Sequence, residues 1–185
     1  EIAALVGRGY RVVAWDAPGY GLSPLPADYS IELVAEAAAH LITTLGTKRN
    51  IIIGHSMGGH GALTIAMTHP DRYRSVSAFS PIANPTESDW GQKQLSAYLG
   101  EDRSAWRAHD ATILMTERGY PGEVLIDQGS ADQFLDKLRP ESLAQAMMAR
   151  RQPGQFRMQP GYDHSYFFVQ TFMADHVMWH AERLL

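Results

Sequence analysis

Apolar positions along this chain fall into two alternating patterns, short β-branched runs and longer stretches with helical spacing. Tyr10 to Trp15 (YRVVAW), Ile51 to Gly54, Ser75 to Phe79, Glu123 to Ile126 (EVLI) and Phe156 to Gln159 are short and rich in β-branched or aromatic residues, and predict strands. Ser30 is placed to cap a helix through Leu45, in which Leu33, Val34, Ala37, Ala38 and Leu41 make one apolar stripe before Gly46 ends it. Helices are also predicted over 57–68, from Pro140 to Arg150 with proline in the first turn, and from about Ser165 to Leu184. Residues 1–8 read as the end of a helix, and Asp16 to Gly21 as a turn-rich loop. Residues 81–120 predict irregular chain with short helical pieces around Lys93–Leu99 and Ser104–His109. Strands that alternate with helices imply an α/β class, a mostly parallel sheet covered on both faces, in a single domain over 1–185.

Composition narrows the function classes. A chain of 185 residues with 45% apolar and 19% charged residues can bury one real core. The net charge of -4 gives no reason to expect nucleic acid or an anionic membrane surface as partner. No apolar run reaches the ~18 residues that would suggest a membrane span. With no cysteine, a disulfide framework, a zinc-thiolate site and a cysteine nucleophile are excluded. The chain starts at Glu1 without a signal-like pattern, and the domain is expected to be N-terminally incomplete.

The chemistry centres on Gly54-His55-Ser56-Met57-Gly58, between the 51–54 strand and the 57–68 helix. Strand, tight turn and helix with serine at the apex is the form of the G-x-S-x-G nucleophile elbow of α/β-hydrolases. A serine hydroxyl needs a base, and the base needs a carboxylate to hold its tautomer. In that fold the order is Ser, Asp or Glu, then His, each at the carboxyl end of a strand. Asp132 follows the 123–126 strand and His164 follows the 156–159 strand, so both fall on the same sheet edge as Ser56. Asp127 and Asp136 compete with Asp132 on topology alone. His55 is expected to pack or hydrogen-bond beneath the elbow, and Asp163 to point away from its neighbour His164. His176 and His180 are four apart, a spacing able to bind metal, but a third ligand is lacking and a wet helix face is expected.

GHSMGGHGAL (54–63), SPIANP (80–85), WGQKQLSAYLGED (90–102), DQGSADQFL (127–135) and GYDHSYFF (161–168) together resemble the S-formylglutathione hydrolases, the esterase D family. The resemblance covers residues ~50–185 and implies an α/β-hydrolase fold with a truncated sheet lacking the early strands. It implies a serine thioesterase that cleaves S-formylglutathione to formate and glutathione, and also small activated esters. The family's triad falls on Ser56, Asp132 and His164, which favours Asp132 over Asp127. The resemblance calls for no cofactor and no metal, a small thioester or ester as partner, and a cytoplasmic location.

GYRVVAWDAPGYGLS (9–23) resembles a different α/β-hydrolase branch, one with lactonases, C–C bond hydrolases and haloperoxidase-like esterases. One oxyanion donor is expected from the Met57 N–H, while the loop that supplies the second is not identified. Without an intervening strand, the 10–15 and 51–54 strands are expected to pair directly, or another copy to fill the gap. Trp90 and Lys93 are candidates for the acyl or leaving-group pocket, against a packed tryptophan and a solvated lysine. The competing functions are a general carboxylesterase or lactonase, and an inactive hydrolase-like fragment.

Overall fold

Four strands form one parallel sheet in the order of their appearance: β1 (Asn50–His55), β2 (Tyr73–Phe79), β3 (Glu123–Gly129) and β4 (Gly154–Gln159). The computed structural model describes residues 6–7, 9–19, 21–28 and 30–184. The helix expected over 1–8 therefore lies mostly outside the described residues. The chain divides into two compact units, Glu1–Lys48 and Arg49–Leu185.

In the first unit, α1 (Ile31–Leu45) begins and ends where its residues dictate. Ser30 Oγ accepts from the Leu33 N–H at 3.1 Å, and Gly46 takes the left-handed conformation (φ 63°) that ends the helix. The expected strand Tyr10–Trp15 is not formed, since residues 10–17 adopt no regular structure. Its apolar run finds no ladder partner among the described residues, and Val13 and Trp15 stay 45% and 38% exposed. A β-branched run becomes a strand only when a neighbour takes up its backbone groups.

The second unit holds the sheet and α2 (Met57–Thr68), α3 (Asp89–Leu99), α4 (Arg103–Trp106), α5 (Ala111–Glu117), α6 (Leu135–Leu138), α7 (Pro140–Arg150) and α8 (Tyr166–Leu184). The helix α5 was not legible in the irregular 81–120 stretch, yet Asp110 caps it by accepting from the Ile113 N–H at 3.0 Å. Alternation along β2 assigns the helices to opposite faces. A Cβ on Gly59 of α2 would lie 3.2 Å from Ala78 Cβ, whereas Ser75 and Ser77 hydrogen-bond to His180 and His176 of α8. Leu125 and Ile126 of β3, Val76 and Phe79 of β2, Leu63 of α2 and Phe168 of α8 are fully buried and form the core.

His176 and His180 require a correction, because both are fully buried rather than on a wet face. Helix α8 lies on the sheet, so its polar pair is taken up by polar residues of β2 and β3. His180 Nδ1 is 2.7 Å from Ser75 Oγ, and its Nε2 is 2.8 Å from Ser77 Oγ. His176 Nδ1 also meets Ser77 Oγ at 2.8 Å, and its ring stacks on Phe79 with centroids 3.8 Å apart. His176 Nε2 lies 3.3 Å from Asp127 Oδ2, close but outside hydrogen-bond geometry. Arg157 of β4 holds Asp127 with two bonds, at 2.5 and 2.6 Å. Burial alone would raise the Asp127 carboxyl, but His176 and Arg157 outweigh it and hold the group below its ordinary range.

Candidate active site

Ser56 stands between β1 and α2 in a strained conformation, φ 55° and ψ -118°, which a serine adopts only when its surroundings enforce it. Its N–H donates to Phe79 O at 2.9 Å, and its carbonyl accepts from the His60 N–H at 3.0 Å. The turn closes so tightly that a Cβ on Gly54 would lie 2.0 Å from Gly58 O, which explains the small residue there. Met57 is the first residue of α2, so its N–H belongs to the helix's first turn.

The loops after β3 and β4 are joined by hydrogen bonds. Ser130 N–H donates to Gln159 O at 3.0 Å, Ala131 N–H to Tyr162 O at 2.9 Å, and Gly161 N–H to Ser130 Oγ at 2.9 Å. Gly129 makes this approach possible, because a Cβ there would lie 2.3 Å from Tyr162 O. The result is a pair. His164 Nδ1 is 2.7 Å from Asp132 Oδ2. Asp132 Oδ1 accepts from the Phe134 N–H at 2.8 Å, and Gln128 Nε2 donates to Oδ2 at 2.9 Å. Burial pushes the Asp132 carboxyl up, but these bonds, led by His164, hold it below the usual carboxylate value.

The structure thus brings His164 to Asp132 and not to Asp127, which is occupied by Arg157. Asp136 faces Lys137 at 3.3 Å instead. Asp163 caps the next turn, accepting from the Ser165 N–H at 3.1 Å. His55 packs as expected, although on His164, with ring centroids 4.7 Å apart. Because His55 precedes Ser56, this contact puts the His164 ring beside the elbow. The bond from Ser56 Oγ to His164 is not formed among the described residues. Such bonds are often long in unliganded sites and tighten around substrate. Burial, then the neighbouring His164, lowers the His55 imidazole to about 4, with Asp132 partly opposing.

Trp90 is 42% exposed rather than packed in the core, because it sits in the first turn of α3 at the rim. Its ring is 4.9 Å from Phe134, which stands edge-on to His164 at 5.3 Å. Lys93 is exposed. Phe134 and Gln128 were missed in the sequence. A glutamine inside the apolar run EVLIDQG is the available signal for Gln128, whereas nothing in the sequence marks Phe134. No group of three His, Cys, Asp or Glu among the described residues could hold a metal ion. No helix among them is long and apolar enough to cross a membrane.

A family model described as "Putative esterase" matches residues 27–179. An S-formylglutathione hydrolase of Paracoccus denitrificans (strain Pd 1222) is 77% identical over 133 residues, covering 72% of this chain and 48% of that protein. One from Mus musculus is 46% identical over 187 residues, covering 96% and 64%. The chain thus spans about half to under two thirds of these relatives' lengths. A solved S-formylglutathione hydrolase from Agrobacterium tumefaciens has a TM-score of 0.79 at 44% identity, covering 92% of this chain and 62% of its own. A monoacylglycerol lipase from Paleococcus ferrophilus shares the fold, with a TM-score of 0.71 at 21% identity over 98% of this chain and 87% of its own.

Proposed function

The chain belongs to the putative esterase family, and from that premise we propose that it is a serine hydrolase of small thioesters and esters, S-formylglutathione foremost. The observation that carries this reading is the strained Ser56 elbow beside the Asp132–His164 pair. Ser56 Oγ attacks the carbonyl carbon while His164 Nε2 takes its proton. The oxyanion forms against the Met57 N–H and a second donor. As the tetrahedral intermediate collapses, the carbon–sulfur or carbon–oxygen bond breaks and His164 returns the proton to the leaving group. Water, deprotonated by His164, then adds to the acyl carbonyl, and the acyl–Oγ bond breaks as His164 passes that proton to Ser56 Oγ and the acid is released. Asp132 holds the Nδ1–H and stabilises the imidazolium. Base, nucleophile and leaving-group acid all come from these side chains, so the reading calls on no cofactor.

Trp90 extends the aromatic wall from His164 through Phe134, which supports its place in the substrate pocket. Lys93, three residues on along the same helical face, offers a cation to an anionic leaving group such as glutathione. A cytoplasmic location and self-association of the chain complete the proposal; cell fractionation and light scattering test them. The decisive experiment compares S-formylglutathione with p-nitrophenyl acetate. A strong preference for the thioester, abolished in Ser56→Ala, is expected. Equal turnover of both would favour a broad carboxylesterase, and turnover that persists in Ser56→Ala would exclude this nucleophile.

A further inference from the structure

Gln128 lies next to last in β3 and is fully buried. Its Nε2 donates to Asp132 Oδ2 at 2.9 Å and to Gly129 O at 3.3 Å. Its Oε1 is buried and finds no hydrogen-bond partner among the described residues. The amide orientation follows from Asp132, since the flipped amide would set its oxygen against a carboxylate oxygen. A buried acceptor left unpaired is a cost, and a site that only filled volume would be better served by Leu or Met. The glutamine therefore earns its place through what its nitrogen does.

Asp132 Oδ2 is the same oxygen that meets His164 Nδ1 at 2.7 Å, so two donors converge on it. The Phe134 N–H fixes the other oxygen at 2.8 Å. Phe134 and Gln128 thus pin both ends of the carboxylate. Without the Gln128 donor, only the imidazole itself resists rotation of the carboxylate about its remaining anchor. We propose that Gln128 is a positioning residue, holding Asp132 in the plane that keeps the His164 imidazole aligned with Ser56. This rests on the serine-hydrolase reading above.

Two variants test it, with wild type and Ser56→Ala as references. Gln128→Met keeps the volume and removes the donor. Misplacing a reacting group by a fraction of an ångström to 1 Å costs up to about 100-fold, so kcat is expected to fall about 10- to 100-fold with KM within about twofold. Thermal stability should hold or rise, because the unpaired acceptor is gone. A purely structural glutamine would show the reverse, lost stability with kcat retained. Gln128→Glu sets a second carboxylate against Asp132, in surroundings that also hold His164, His55 and Asp163. Carboxylates sharing one site raise the pKa of one of them. The protonated Glu still donates, so activity should survive at lower pH and decline as it ionises, a new descending limb on the alkaline side.

A third readout does not depend on turnover. The downfield proton resonance of the His164 Nδ1–H should shift or broaden in Gln128→Met. Wild-type kcat in Gln128→Met, an unchanged profile in Gln128→Glu, or an unmoved resonance would each overturn the proposal. If wild type shows no Ser56-dependent turnover, the serine-hydrolase reading fails, and the resonance alone still decides the role of Gln128.

Discussion

Asp127 lies within β3 and Asp132 five residues on, in the loop after it, and their replacement should separate stability from catalysis. The Asp127 carboxylate is fully buried and joined to Arg157 by two bonds at 2.5 and 2.6 Å, with Gln159 Nε2 adding a third at 3.2 Å. Removing one partner of a buried ion pair costs about 3–5 kcal/mol. Here the Arg157 side chain is 28% exposed and can turn toward water, which brings the expected cost of Asp127→Ala to about 2–3 kcal/mol. For a chain of this size each kcal/mol moves Tm by about 2–4 °C, so a drop of roughly 5–10 °C is expected. Turnover below the new melting range should stay within about threefold of wild type, since Asp127 touches no part of the Asp132–His164 pair. Asp132→Asn should do the opposite, with Tm nearly unchanged and kcat down by about 10⁴ through loss of the correct tautomer. Calorimetry and steady-state kinetics on the two variants provide both numbers. A wild-type Tm in Asp127→Ala together with a thousandfold loss of turnover would make Asp127 the orienting acid and refute this division of roles.

The buried histidines give a pH dependence. Burial, then His176 and Arg183, lowers His180 to about 3 in the folded state, and burial likewise lowers His176. The unfolded chain binds these protons below about 6.5, so the contribution is intact above that pH and is lost as pH falls toward the folded values. The slope should approach about 1.4 kcal/mol per pH unit from His180 alone between pH 6 and 4.5, with His176 adding in the same direction, measured by urea unfolding; a flat profile in that window would contradict the burial. Gly54→Ala should destabilise by about 1–3 kcal/mol and abolish turnover, because the elbow must open to admit a Cβ 2.0 Å from Gly58 O. Phe134→Ala removes the ring edge-on to His164 and should lower kcat/KM about 2- to 10-fold, the worth of one aromatic contact, while Phe134→Tyr retains most of it.

The elements whose patterns rest on local chemistry are legible in the sequence itself. Ser30 and Gly46 bound α1, Pro140 opens α7, and the elbow helix spans 57–68 as read. What failed depended on partners that spacing does not encode. YRVVAW has strand composition but no ladder neighbour among the described residues, and HVMWH looks amphipathic until α8 is laid on Ser75 and Ser77. The choice of Asp132 over Asp127 needed a family resemblance, because topology offers both after the same strand. Gln128 was hidden because a single polar residue in a strand says nothing of which carboxylate it faces.

Fluorophosphonate labelling tests most directly whether Asp132 and His164 make Ser56 a nucleophile. The adduct should map to the peptide containing Ser56, vanish in Ser56→Ala, and form at least 10³-fold more slowly in His164→Ala, as expected when the base is removed. Labelling on another residue, or at an unchanged rate in His164→Ala, would contradict it.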